Sequence, residues 1–69
     1  MQKIVIEDRS SGEIVAQGEV VSGNVSLTVL AQLPVAESEI CSRLLKDVEE
    51  GYSGGALGNG LEWFELKSD

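Results

Sequence analysis

Histidine is absent from this 69-residue chain, and cysteine, proline and aromatic residues are scarce. Without an imidazole group, the chain cannot form a Ser-His-Asp triad or any zinc site that needs histidine. Cys41 is the single cysteine, so no disulfide can form within the chain. Five Lys and Arg stand against twelve Asp and Glu, which gives a net charge of −7. Because a protein that grips nucleic-acid phosphates needs the opposite balance, we expect no direct nucleic-acid binding.

Long apolar runs are also missing. The apolar run near the N-terminus, residues 4–6, has three members, whereas a secretory signal needs about 7–15. No run approaches the roughly 20 residues of a membrane span. We therefore expect a cytoplasmic protein without a membrane partner. The length is sufficient for one domain, residues 1–69.

Three segments in the first half alternate apolar and polar residues with a period of two, which predicts β-strands. They are Lys3–Asp8, Glu13–Val21 and Val25–Ala31. The short polar turns between them favour an antiparallel meander. In the first strand, Ile4 and Ile6 share one face.

The second strand contains a glycine in its interior. Its alternation places Ile14, Ala16 and Val20 on one face. Gly18 interrupts this pattern, which predicts either a bulge or a close approach of another backbone segment.

The period changes to that of a helix between Pro34 and Glu50. Pro34 suits the first helical turn, and Gly51 suits the position just after the C-terminus. We expect about 14–16 helical residues with one apolar stripe, formed by Ile40, Cys41, Leu44, Leu45 and Val48.

A last strand, Leu61–Lys67, is apolar on both faces. Leu61 and Trp63 point to one side, and Phe64 and Leu66 point to the other. Because a single helix covers one side of a sheet, one of the two aromatic rings needs another cover.

These elements predict an α+β fold with the order β-β-β-α-β. A small antiparallel sheet, made of a three-strand meander plus the C-terminal strand, packs against one amphipathic helix.

Residues 51–60 hold five of the eight glycines. The segment follows a helix and precedes a strand, and it lacks lysine, so it does not fit a phosphate-binding loop. We expect a mobile connector or a protein-recognition loop in which Tyr52, Ala56 and Leu57 make apolar contacts.

The chain carries no recognisable catalytic equipment. Cys41 lies on the apolar helix stripe, without a cationic neighbour to lower the pKa of its thiol. Glu49 and Glu50 diverge on the helix, and Glu62 and Glu65 face opposite sides of a strand. We therefore expect no enzyme activity, no cofactor and no metal site.

The excess of acid is uneven. Residues 1–36 carry four acids and two bases, whereas residues 37–69 carry eight acids and three bases. An acidic surface in the second half would attract and orient a basic partner. The candidate partner-binding residues are Glu49, Glu50, Tyr52, Leu57, Glu62, Trp63 and Glu65.

The sequence therefore favours a small acidic binding protein of the phage or mobile-element type. It would inhibit or modulate a larger protein by docking on its basic surface, in competition with nucleic acid where that surface binds nucleic acid. One alternative is a structural protein that forms a homodimer or larger homo-oligomer through its sheet face. A second alternative is a small-ligand binder that uses the glycine-rich segment.

Overall fold

The computed structural model describes residues 2–66, which form one sheet and one helix. The α+β class is confirmed, as is the order of three strands, a helix and a C-terminal strand. The elements are β1 Gln2–Asp8, β2 Glu13–Val21, β3 Asn24–Val29, α1 Glu37–Glu49, β4 Gly54–Gly58 and β5 Leu61–Leu66. The sheet is antiparallel with the order β3-β2-β1-β5-β4.

The glycine-rich segment is not the connector that we expected, because β4 lies within it. Asn59 and Gly60 both have positive φ angles, of 52° and 79°, and join Gly58 to Leu61 in a two-residue hairpin turn. This is the type I′ geometry that Asn-Gly favours. The dipeptide was therefore a sequence signal for a fifth strand.

The helix covers one face of the sheet and packs against both edge strands, β3 and β4. Its buried residues, Ile40 and Leu44, complete the core between the two layers. None of the described polar or charged residues is buried in this core. Its buried members are Ile4, Ile6, Val15, Ala16, Val20, Ile40, Leu44, Leu57, Leu61 and Trp63.

A bulge in β2 changes the face assignment at one end of that strand. Ile6 lies opposite Ala16, but Glu7 lies opposite Ile14, so Val15 is an extra residue. Because the bulge breaks the period of two, Val15 and Ala16 are both buried. Ile14 is consequently exposed on the opposite face, and its predicted place beside Ala16 was wrong.

The helix begins at Glu37, with Ala36 as its N-cap, rather than at Pro34. Leu33 and Val35 both pack on the core. Pro34 lies between them in a bend that precedes the helix, and the helix has 13 residues.

The C-terminus of the helix agrees with the prediction for Gly51. Its φ angle is 90°, and its amide donates to the carbonyl of Val48 while the amide of Tyr52 donates to that of Asp47. This pair of bonds is the Schellman motif, which satisfies carbonyl groups at the helix end.

Gly18 allows β2 and β3 to approach closely. This close approach is one of the two explanations that the sequence offered for a glycine inside the strand. A Cβ atom at this position would overlap the carbonyl oxygen of Ser26 and lie 2.8 Å from the Leu27 side chain. The bulge in this strand lies at Val15 instead.

We predict that Gly18→Ala lowers the free energy of unfolding by about 1–3 kcal/mol, since strand backbones must move to accept the methyl group. Urea unfolding, followed by the fluorescence of Trp63, measures the change. Gln17→Ala at the neighbouring exposed position is the control and should change stability by less than about 0.5 kcal/mol. Equal effects of the two substitutions would contradict the steric explanation.

Candidate partner-binding surface

Trp63 is fully buried between the sheet and the helix, so it is the ring that faces the core. Its indole Nε1 donates a hydrogen bond of 2.9 Å to Asp47 Oδ2 on α1. Gly55, directly opposite Trp63 on β4, leaves room for this bond. A Cβ atom there would lie 3.1 Å from Asp47 Oδ2 and 3.5 Å from the indole nitrogen.

Burial removes two of the predicted partner-binding residues from the surface. Trp63 is inaccessible, and Leu57 on β4 is 4% exposed and belongs to the same core. A folded chain cannot present either side chain to a partner. Their apolar character has a structural explanation, because both fill the space beneath the helix.

We predict that Asp47→Ala lowers the free energy of unfolding by about 1–3 kcal/mol, because it leaves the buried indole N–H without an acceptor. Asp47→Asn retains an acceptor oxygen and should lose much less. Urea unfolding of both variants measures the difference. If Asp47→Asn were as destabilising as Asp47→Ala, the hydrogen bond would not be the stabilising contact.

Phe64 is the exposed ring of the Trp63–Phe64 pair, and it is not among the candidate partner-binding residues predicted from the sequence. It is 38% exposed on the sheet face that the helix leaves uncovered. Phe64 lies opposite Val5 on one side and Gly54 on the other. Its ring covers the glycine, with Cδ1 lying 3.6 Å from where a Cβ atom of Gly54 would be.

Leu66 extends this apolar area along β5 on the same face as Phe64, and it is 49% exposed. The alternation within β5 was the sequence signal for the pair. The sequence did not show whether the helix covers this pair or the pair formed by Leu61 and Trp63. It therefore did not show which of the two pairs is exposed.

Four of the predicted residues, Glu49, Glu50, Tyr52 and Glu65, lie at the end of the molecule where the helix stops. Glu49 and Glu50 are exposed, and Tyr52 is 56% exposed. The chain continues from Tyr52 to Ser53, whose carbonyl accepts a 2.8 Å hydrogen bond from the Glu65 amide. This bond connects the helix end to β5.

The carboxylates of Glu65 and Glu62 each make one contact within the protein. Glu65 Oε2 accepts a 2.8 Å hydrogen bond from Gln2 Nε2. Glu62 lies on the face of Phe64 but towards the opposite end of the sheet, and its Oε2 is 3.5 Å from Arg9 Nε. An exposed ion pair of this kind contributes about 0–1 kcal/mol.

Within residues 2–66, no ion pair or side-chain hydrogen bond involves Glu49 or Glu50. Both carboxylates lie at the negative end of the helix dipole, where negative charge is mildly destabilising. They add to the negative potential of this end without contributing a stabilising contact in the described fold.

The remaining titratable features indicate structural roles. Asp8 accepts hydrogen bonds of 2.7 Å from the Ser10 hydroxyl and 2.9 Å from the Ser10 amide. These bonds hold the pKa of Asp8 below its ordinary value and order the turn between β1 and β2. Burial, helped by the nearby Glu37 carboxylate, raises the pKa of the Cys41 thiol, which disfavours its reactive thiolate form.

We predict that Cys41 reacts more slowly with iodoacetamide in the folded protein than in urea at pH 8, and that its rate profile is shifted to higher pH. The raised pKa lowers the thiolate fraction at any given pH. Glu37→Gln removes the carboxylate contribution and should increase the rate. A rate that is unchanged by Glu37→Gln would show that burial alone protects the thiol.

Neither a metal-binding cluster nor a membrane-spanning helix is found among residues 2–66. Residues 2–66 contain no cluster of three or more Cys, Asp or Glu side chains that could hold a metal ion. The helix of 13 residues is too short and too polar to cross a membrane.

No protein-family model, curated protein or solved structure matches this chain. The functional assignment therefore depends on the chain's own surface, which we define as the docking surface: Glu49, Glu50, Tyr52, Phe64 and Leu66.

Proposed function

We propose that this protein is a small, non-enzymatic binding protein that docks on a basic surface of a larger protein and thereby inhibits or modulates it. The observation that carries this proposal is the docking surface, which combines exposed apolar side chains on the uncovered sheet face with carboxylates at the helix end that have no partner in the described fold. The hydrogen bond from the Glu65 amide to the Ser53 carbonyl joins these two parts. Protein interfaces combine the same two features, an apolar centre with aromatic anchors and a polar rim.

The apolar part of the docking surface supplies contact area. Phe64 and Leu66 are held on a rigid strand and point away from the core. Because β5 is hydrogen-bonded on both sides, binding through these side chains would require little reordering of the backbone.

The charged part supplies orientation and a fast encounter with the partner. Glu49 and Glu50 stand beside Tyr52 at the helix end, in a chain of net charge −7. A negative field of this kind steers a positively charged partner towards the surface. Where that partner's basic surface normally holds nucleic acid, the two ligands would compete for it.

We predict that Glu49→Lys/Glu50→Lys abolishes partner binding without unfolding the protein. Positive charge at a helix C-terminus is favourable, so the variant should be at least as stable as the wild type. Affinity capture from the cells that express the protein, followed by quantitative mass spectrometry, compares the partners retained by each form. Binding should also weaken at about 1 M salt, where the Debye length falls to about 3 Å.

The matched control is Glu7→Lys/Glu13→Lys, which makes the same change in net charge at the opposite end of the sheet. It should retain the partner at low salt. Phe64→Ser tests the apolar part of the surface and should lose the same partner. Retention of that partner by the Glu49→Lys/Glu50→Lys variant would refute the proposal, and adding duplex DNA during capture tests for competition with nucleic acid.

A further inference from the structure

The two edges of the sheet differ in how they are protected. Natural edge strands are usually blunted by a charge, a proline, a bulge or a covering segment. The edge strand β4 has five residues and a register shift between Ala56 and Gly58. By contrast, β3 pairs with β2 over six consecutive positions without a shift, and it contains no proline and no charged residue.

The turn between β2 and β3 determines which backbone groups of β3 point outward. Ser22 and Gly23 have φ angles of 49° and 81°, so they form a two-residue type I′ turn. In such a hairpin the flanking residues, Val21 and Asn24, form a hydrogen-bonded pair. Hydrogen-bonded and non-hydrogen-bonded pairs then alternate along the two strands. The 2.8 Å bond from the Leu30 amide to the Val15 carbonyl continues this alternation.

The alternation directs the amides and carbonyls of Asn24, Ser26 and Thr28 towards β2. Those of Val25, Leu27 and Val29 point away from the sheet, at its free edge. The side chains of this second set lie on the helix side, where Val25 and Leu27 pack on the core. Val29 is 41% exposed. The apolar layer therefore extends to the free edge of the sheet, and no other segment of residues 2–66 covers it at Val29.

We infer that β3 pairs antiparallel with β3 of a second copy of this chain, forming a homodimer with a continuous ten-strand sheet. Opposite residues in an antiparallel pair share a face, so the register must match apolar with apolar positions. With Leu27 opposite Leu27 of the second copy, Val25 lies opposite Val29, and all three outward residues form hydrogen-bonded pairs. Ser26 then lies opposite Thr28 on the other face, which is a favourable hydroxyl pair.

Charge favours this edge over the outer face as the contact between two copies. Each copy carries a net charge of −7. Among the β2 residues that pair with β3, the one carboxylate is that of Glu19, opposite Ser26. Pairing through β3 separates the two Glu19 residues by at least three strand spacings, about 14 Å, which exceeds the Debye length of about 8 Å.

Stacking two outer faces would produce the opposite result. Packed sheets lie about 10 Å apart, so the carboxylates of Glu7, Glu19 and Glu62 would face those of the second copy, with Lys3 and Arg9 offsetting two of the three charges in each copy. The edge pairing also leaves the docking surface free, because β3 is separated from β5 by β2 and β1. The homodimer therefore does not depend on the proposed function, and it would present two docking surfaces.

The test is the molar mass of the full chain by light scattering over a concentration series. We expect the wild type to have twice the chain mass of 7.4 kDa. Ser26→Lys/Thr28→Lys places lysines opposite one another across the pair and should shift the dissociation constant upward by at least tenfold. Ser53→Lys/Ala56→Lys, which adds the same charge at the opposite edge of the sheet, and Glu49→Lys/Glu50→Lys should both remain dimeric.

Hydrogen exchange gives a second readout that does not depend on any substitution. In the dimer the amides of Val25, Leu27 and Val29 should become protected, and on dilution they should lose protection before those of Ser26 and Thr28. A wild-type chain of 7.4 kDa at millimolar concentration would overturn the inference. So would a dimer that persists in a folded Ser26→Lys/Thr28→Lys variant, or a monomer whose β3 edge binds a strand of another protein.

Discussion

The hydrogen bond between Trp63 and Asp47 is the contact on which the arrangement of the two layers depends. It joins the middle of β5 to the last turns of the helix, across a core that is otherwise apolar. A Cβ atom at Gly55 would lie 3.1 Å from Asp47 Oδ2, so a side chain there would press on the carboxylate that accepts the 2.9 Å bond. A buried indole N–H without an acceptor would be costly, so helix position, strand register and the glycine at 55 constrain one another.

The orientation of Trp63 also decides what the protein exposes. Successive strand residues point to opposite faces, so burying Trp63 places Phe64 and Leu66 on the uncovered side of the sheet. The same constraint explains two of the three glycines of β4, since Gly55 lies beside the Trp63 bond and Gly54 lies beneath the Phe64 ring. Gly51, Gly58 and Gly60 have positive φ angles at the helix end and at the hairpin turn. The glycines that suggested a flexible or ligand-binding loop therefore have packing or turn roles.

The charges complement this division between core and surface. No described charged residue is buried, so every described carboxylate has some access to solvent. At the helix end, Glu49 and Glu50 oppose the helix dipole instead of complementing it. They lie next to the exposed Tyr52 and contribute no stabilising contact to the described fold, and the proposed external partner rests on this combination.

The sequence by itself determined the fold class, the three strands of the meander, the helix stripe, the helix stop at Gly51 and the two faces of β5, because each depends on local periodicity or turn chemistry. The Asn59-Gly60 pair also indicated a hairpin and therefore a fifth strand, although the many glycines of that segment suggested a loop. Only the tertiary structure decided that Trp63 and Leu57 are buried, that the bulge at Val15 exposes Ile14, and that the helix starts at Glu37. These outcomes depend on which sheet face the helix covers and on contacts between distant segments, and local sequence patterns do not specify either.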